Sequence, residues 1–312
     1  MTVLMDTTLS MTYGRPTMIE SHAATVLRLP LALDEQYLSR DTLLEHTHPN
    51  TQPTTMAFYI QALLLNKILH NILRAFSKSS GTADTDAYET WPKGGPNQGS
   101  ERSLLELDQA LTLWSNGLPP HLVPGNNVEG KRFMRQTNAL RQRFLHTRML
   151  IYRPILSGLI PSADTDISSI ISPVRRTLLQ RMTIHCSMLR VQAAQAAIQN
   201  ICAQLPTEVG LMGPLQAWWY NVFYVYTAAT VLSAARLRPF ITAEISLQSI
   251  DLSWAHALEV LRRYEPCHSS AKRCVAVLQI LFDRAPQNFE RQRQSQEERE
   301  KREQIPRSTK DI

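Results

Sequence analysis

Glycine is scarce in this sequence: 11 residues in a chain of 312, about half of the usual ~7% share. Glycine supplies the positive-φ positions of tight hairpins and phosphate-binding loops, so its scarcity argues against an all-β barrel and a nucleotide-binding fold. No G-x-x-x-x-G-K, G-x-G-x-x-G or G-x-S-x-G stretch occurs, which removes the phosphate-loop, dinucleotide and nucleophile-elbow chemistries. The four cysteines, Cys186, Cys202, Cys267 and Cys274, form no C-x-x-C pair and no zinc-ligand spacing. Three of them sit in apolar helical patterns, where a free thiol behaves as a small hydrophobe, and this reads as a reducing intracellular compartment. Met1 to Ser10 carry Asp6 and no basic residue, unlike the start of a secretory signal.

Acidic residues are nearly missing from one stretch. Between Lys131 and Arg190 eleven Lys and Arg stand against Asp164 and Asp166 alone, while the whole chain is only +6. The expectation is a solvated arginine face on one or two helices, with an acidic partner or nucleic acid as the sharper alternative. What is abundant is helix-forming: the apolar fraction is 43% and the charged fraction 19%, with Leu, Ala, Gln and Arg dominating long stretches. The fold class expected is all-α, a compact or two-lobed bundle of seven or more helices.

Residues 1–50 read as irregular, since Pro16, Pro30 and Pro49 limit helix length. Residues 51–284 read as the helical domain. Within it a helix is expected over about 53–76, where Met56, Ile60, Leu64, Ile68, Ile72 and Phe76 recur at four and Leu65, Leu69 and Leu73 widen the stripe. Residues 77–100 contain no Leu, Ile, Val, Met or Phe and read as a flexible insert. The next helix is expected over 101–116, with Ser100 as N-cap and Gly117 as stop. A basic helix follows over 129–153, with Phe133, Leu140, Phe144 and Ile151 on one side and Lys131, Arg132, Arg135, Arg143 and Arg153 on the other. Ser172 and Pro173 start a helix that reaches about Leu205. An aromatic helix follows from Gly213 and Pro214 to Leu237, then helices over 250–265 and 269–284. Residues 285–312 read as a charged polar tail, without the apolar seam of a coiled coil.

Chemistry is sparse. Asp84 and Asp86, and Asp164 and Asp166, are the nearest approach to the metal-binding aspartates of an isoprenoid enzyme, and both pairs fall in loops. His46 and His48 fit a surface turn better than a metal site. His256 with Glu259, and Cys267 and His268 near Cys274, lack further ligands, so no metal or cofactor is assigned. The stretch 214–237 is long enough to span a membrane. Its Trp and Tyr residues, however, run into the middle of the segment instead of staying at its ends; a single-span anchor is kept as an alternative reading. Trp218, Trp219, Tyr220, Phe223, Tyr224 and Tyr226 suit a core, and Tyr220, Phe223 and Tyr224 are candidates for lining a pocket for a small apolar effector.

Several segments, taken in order, resemble one family. Tyr13, Gly14, Arg15 and Pro16, followed by Leu29–Leu38 (LPLALDEQYL, with Pro30), are similar to the opening of the fungal-specific transcription factor domain, the middle homology region of fungal zinc-cluster regulators. Leu107 and Asp108, Leu113 and Trp114, and Leu118, Pro119, His121 and Leu122 follow in that family's order. So does Leu145–Pro154 (LHTRMLIYRP), with His146, Arg148, Arg153 and Pro154, and then the aromatic helix with Trp218 and Trp219. The resemblance spans about residues 13–282. It implies an all-α, non-catalytic regulator of transcription in the nucleus, whose partners are transcription machinery or co-regulator proteins. It also implies zinc only in an N-terminal cluster of six cysteines. No cysteine here has that spacing, so DNA binding is expected in a module missing from this chain, with the cytoplasm as the alternative location if the module is truly lacking. The family motif residues are expected to be structural, Arg153 at the negative end of a helix dipole and Pro154 as its stop. With upstream helices missing, Phe58 or Leu69 is expected on an uncovered surface.

Overall fold

The structure, a computed structural model, describes residues 2–15, 17–19, 29–34, 53–77, 98–126, 130–153, 155, 173–206, 214–266 and 268–284. Helices follow one another as α1 (Thr2–Tyr13), α2 (Thr55–Ser77), α3 (Gln98–Asn116), a 3-10 turn (Pro120–Leu122), α4 (Lys131–Ile151), α5 (Pro173–Cys202), α6 (Trp218–Arg236), α7 (Pro239–Glu244) and α8 (Leu247–Tyr264). A further helix, α9, covers 269–284, and no strand occurs among the described residues. The chain is all-α, as its composition requires. Pro16, Pro154, Cys267, the insert at 78–97, the tail from 285 and the Asp and His pairs named above lie outside the described residues.

Two hydrophobic clusters form the interior. One gathers Leu145 and Met149 of α4 with Val191, Ala194, Ile198 and Ile201 of α5, Val225, Ala229 and Leu232 of α6, and residues of α7, α8 and α9. The other gathers Leu65 and Ile72 of α2, Leu104, Leu111 and Trp114 of α3, Leu122 of the 3-10 turn and Leu140 and Ile151 of α4. Helix α4 belongs to both. Its apolar side, Leu140 and Ile151, was legible from periodicity, and Lys131, Arg132, Arg135 and Arg153 are exposed as expected; the middle of the helix, however, is buried on its other side too. The opposite side, about 170° round at 100° per residue, carries Gln142, Leu145, His146 and Met149, all buried. Gln142 and His146 disguise that side as polar. Asn200 Nδ2 of α5 donates to Gln142 Oε1 at 3.2 Å, so burial of this amide oxygen is compensated. Arg143 does not face open water either: its guanidinium lies over the Phe58 ring at 5.8 Å.

The expectation that 1–50 is irregular is also corrected, because Thr2–Tyr13 is helical. Thr7, Thr8 and Thr12 return their hydroxyls to the carbonyls of Val3, Leu4 and Thr8, each four residues earlier. Packing on α2 holds the helix, with a buried 3.1 Å bond from Asn66 Nδ2 to Thr7 Oγ1. Gly14 ends it with φ +64°, and Arg15 N donates back to Ser10 O at 3.0 Å. That pairing is the long-range bond of a glycine-terminated helix end. Asp6 then receives the amides of Met18 and Ile19 at 3.1 and 3.0 Å, tying the returning chain to the helix it has left.

Other differences are smaller. Ser100 lies inside α3, which starts at Gln98, and is no N-cap. The short helix α7 between Pro239 and Glu244 was not legible. The most buried stripe of α2 is Ala62, Leu65, Leu69 and Ile72, one step round from the Met56 to Ile68 row. Leu69 is buried and Phe58 packs against the second cluster, so neither is the bare surface expected. The aromatic stretch is the central helix of the first cluster, packed by α5 and α8, with Asn221, Val222, Tyr224, Val225, Ala228 and Leu232 buried. That burial inside protein removes the reading of 214–237 as an anchor. Among the described residues it is Thr55–Ala75 of α2 that is long and apolar enough to cross a membrane by length and composition, and this helix packs against α1, α3 and α4.

Gly14→Ala tests the helix end. A Cβ there would meet nothing within 4 Å, so the cost is that of the left-handed backbone alone. Denaturant unfolding is expected to show a loss of about 1 kcal/mol, and Gly14→Asn a smaller one.

Candidate functional site

The motif segments converge on helix ends. Asp34, from the LPLALD stretch, sits at the N-terminus of α2. Its Oδ1 accepts from Thr55 N at 2.9 Å, Thr55 Oγ1 at 2.6 Å, Thr54 Oγ1 at 3.0 Å and Met56 N at 3.4 Å. The first amides of a helix lack intrahelical partners, and here a carboxylate from twenty residues upstream satisfies them. Partial burial raises the carboxyl's pKa, but the hydrogen bonds from Thr55 and Thr54 outweigh it and hold it below 3.8. His121 of the L-P-x-H-L stretch lies close enough to feel the Asp34 charge, which raises its pKa; burial dominates and lowers it overall. The His121 ring meets Phe133 edge-on at 5.5 Å. Asp34 was not among the residues singled out from the sequence: a cap from a distant segment leaves no local spacing to read.

The other motif residues fall in distinct places. Pro30 is half-buried in the loop before Asp34. Pro119 opens the 3-10 turn, its carbonyl accepting from Leu122 N at 2.8 Å. Trp114 is buried, donates Nε1 to the Gln61 carbonyl at 3.1 Å and stacks on Phe144 at 6.0 Å, locking α3 onto α2 and α4. Tyr152, the C-cap of α4, donates its hydroxyl to Asp108 at 2.6 Å. Burial, then the Asp108 bond and charge, raise its pKa, while half-buried Arg148 acts the other way. Arg153 is exposed, and its carbonyl accepts from Arg190 Nη1 at 3.2 Å. Burial and the neighbouring Arg153 charge lower Arg190 to about 10. Trp218 stacks on His268 at 3.5 Å, and Trp219 is 54% exposed.

His146 lies between the helices. Its ring centre is 5.2 Å from Phe223 and 4.9 Å from Tyr224 of α6. It is fully buried, and desolvation alone lowers its pKa to about 3, so it is neutral at physiological pH. Its Nε2 is buried with no hydrogen-bond partner among the described residues, which costs about 1–3 kcal/mol when nothing satisfies it. The ring opens on a small cleft roofed by Leu4, Thr8 and Met11 of α1 and floored by residues of α2, α4 and α6, including Asn66, Arg143, Tyr220 and Tyr224. Tyr220 and Tyr224 thus line a cleft together. Phe223 packs on His146 outside the lining. Burial pushes Tyr224 up to about 12, with the Arg143 charge and hydrogen bond opposing. The cleft encloses about 30 Å³, room for a water or two and far below the ~300–1,000 Å³ of drug-sized ligand pockets.

Metal chemistry finds no support in the donor set. No three His, Cys, Asp or Glu side chains come together among the described residues. Burial raises Cys186 to about 11 and also raises Cys202 and Cys274, leaving all three as protonated thiols.

The described residues thus form an all-α scaffold in which motif residues sit at helix ends around a small cleft. Residues 1–116 match the model of the fungal specific transcription factor domain. It is also similar to the sorbicillinoid biosynthetic cluster transcription factor 2 of Penicillium rubens, 26% identical over 189 residues, covering 58% of this chain and 26% of that protein. A transcription factor named for the same kind of cluster in Hypocrea jecorina is 23% identical over 190 residues, again 58% and 26% of the two chains. One from Gibberella moniliformis is 28% identical over 139 residues, covering 41% and 17%. The chain therefore spans about a quarter of the length of the first two relatives. No solved structure matches it significantly.

Two measurements check the site. Asp34→Ala is expected to destabilise by about 1–2 kcal/mol, as loss of a helix cap does. Because its pKa is lowered, the stabilisation from Asp34 is complete above pH 3.8 and disappears as pH falls through the lowered value. For His146 the sign is opposite in origin: the unfolded chain takes up a proton below about 6.5 and the folded chain does not until about 3. Stability is therefore expected to fall on acidification from pH 7 to 5 by on the order of 2 kcal/mol from this residue. His70 and His121 are also lowered and act in the same direction. Urea midpoints for His146→Phe against the parent are expected to show a flatter dependence over that interval.

Proposed function

We propose that this chain acts in transcription regulation, as the middle regulatory region of a fungal zinc-cluster type transcription factor. The observation that carries the reading is the family match over residues 1–116. It is supported by relatives named as transcription factors and by motif residues that serve as caps and helix locks here. The region works through contacts with transcription machinery or co-regulator proteins, or by sensing a small effector, and carries out no catalysis. Contact with DNA is assigned to a zinc cluster of the family type and not to these helices. The place of action is the nucleus.

Fusion of residues 1–312 to a heterologous DNA-binding domain tests this. A reporter downstream of the matching operator is expected to change its output at least severalfold, up or down, when the fusion replaces the DNA-binding domain alone. Output equal to that of the DNA-binding domain alone, with the fusion shown by immunoblot to accumulate, overturns the reading.

A further inference from the structure

The cleft under α1 has a chemical character that the fold alone does not require. Among the described residues no carboxylate lines it, and one full positive charge does, Arg143. That guanidinium is held by the Phe58 ring at 5.8 Å and bonds the Tyr224 hydroxyl, so it is oriented before any ligand arrives. Beside it stand the phenols of Tyr220 and Tyr224 and the amide of Asn66. His146, only 2% exposed, lines the same space with an Nε2 that has no partner. No side chain or backbone group among the described residues reaches that nitrogen, so it is open to pairing with a polar group that enters the cleft. Leu4, Met11, Leu65 and Leu69 complete the walls, which adds an apolar side.

We propose that this cleft is the binding site of a small organic anion, a carboxylate or acidic phenol with a short apolar body, seated under α1 with its charge on Arg143 and His146 against its polar edge. The site is the effector site of the regulator proposed above, and its biological meaning rests on that reading. A space of about 30 Å³ does not admit such a molecule while α1 is seated. Binding therefore displaces Leu4 and Met11 outward. Helix α1 packs mainly on α2, so the movement has to loosen one helix contact and the Asn66 to Thr7 bond. A helix that shifts when a ligand enters gives the partner-binding surface two states.

Benzoate, as the probe anion, and benzamide, its neutral isostere, are titrated into the full chain, followed by thermal unfolding and by the histidine ring signals in NMR. Benzoate at about 10 mM is expected to raise Tm saturably by about 2–4 °C and to shift the His146 signals, with benzamide much weaker. Arg143→Met is expected to weaken benzoate about tenfold or more. Leu4→Trp fills the cleft from α1 without touching a polar group, and is expected to abolish the effect in a protein whose circular dichroism is unchanged. No saturable benzoate effect on the parent chain, or an effect that survives in both variants, overturns the proposal. The assay involves no reporter, so its failure is separable from failure of the regulatory reading.

Discussion

Everything in this molecule depends on α4 being buried from two directions at once. A helix in a bundle ordinarily offers one apolar stripe to one core. Here Leu140 and Ile151 enter the cluster with α2 and α3, while Leu145 and Met149 enter the cluster with α5 and α6. The two lobes thus share a spine instead of meeting across a linker, and neither has a complete core without it. The requirement explains the polar residues buried along the spine. Gln142 bonds Asn200, and Asn138 exchanges amide hydrogen bonds with Gln204, so the register of α4 against α5 is fixed by directional bonds as well as by packing. Gln142 Nε2 and His146 Nε2 on that face are buried with no partner among the described residues.

The second theme is how helix ends are satisfied. Three helices have no side-chain cap at their N-terminus, with Gly130 before α4, Ala217 before α6 and Arg238 before α7, while Ser246 caps α8 through Ser249 N and Thr54 accepts from Met56 N at the start of α2. Other ends are served from more distant parts of the chain. Asp34 serves α2, Asp6 gathers the amides that follow α1, and Gly14 permits the turn between them. Residues of this kind fix where helices begin and stop without any partner or ligand.

How much of this was legible follows the same physics. The all-α class came from scarce glycine and from 3.6-residue periodicity, and Trp114, Leu111 and Leu104 were readable as one buried face of α3. The central place of the aromatic helix was readable because it is apolar all round. The double burial of α4 was not, since Gln142, His146 and Thr147 register as polar in any periodicity count although all three are buried. Helix α1 escaped because threonine favours non-helical conformations by competing for backbone groups, whereas here three hydroxyls bond carbonyls inside the helix. Tyr220 and Tyr224 could be named as pocket candidates from composition. Arg143 could not be joined to them, because only the fold brings α4 beside α6.

The cap on α2 carries a consequence for how such domains vary in length. Asp34 and Thr55 are joined by hydrogen bonds but separated by twenty residues of chain. The entropy of closing such a connection grows only logarithmically with its length, so insertions between the two anchor points cost little while both anchors stay. Deletion of the short run 29–34 would instead take from Thr55 N its carboxylate acceptor and leave Met56 N with Thr54 Oγ1 alone. The sequence is therefore free to drift between its anchor points and constrained at them, and relatives of this chain should align as conserved punctuation separated by spacers of unequal length.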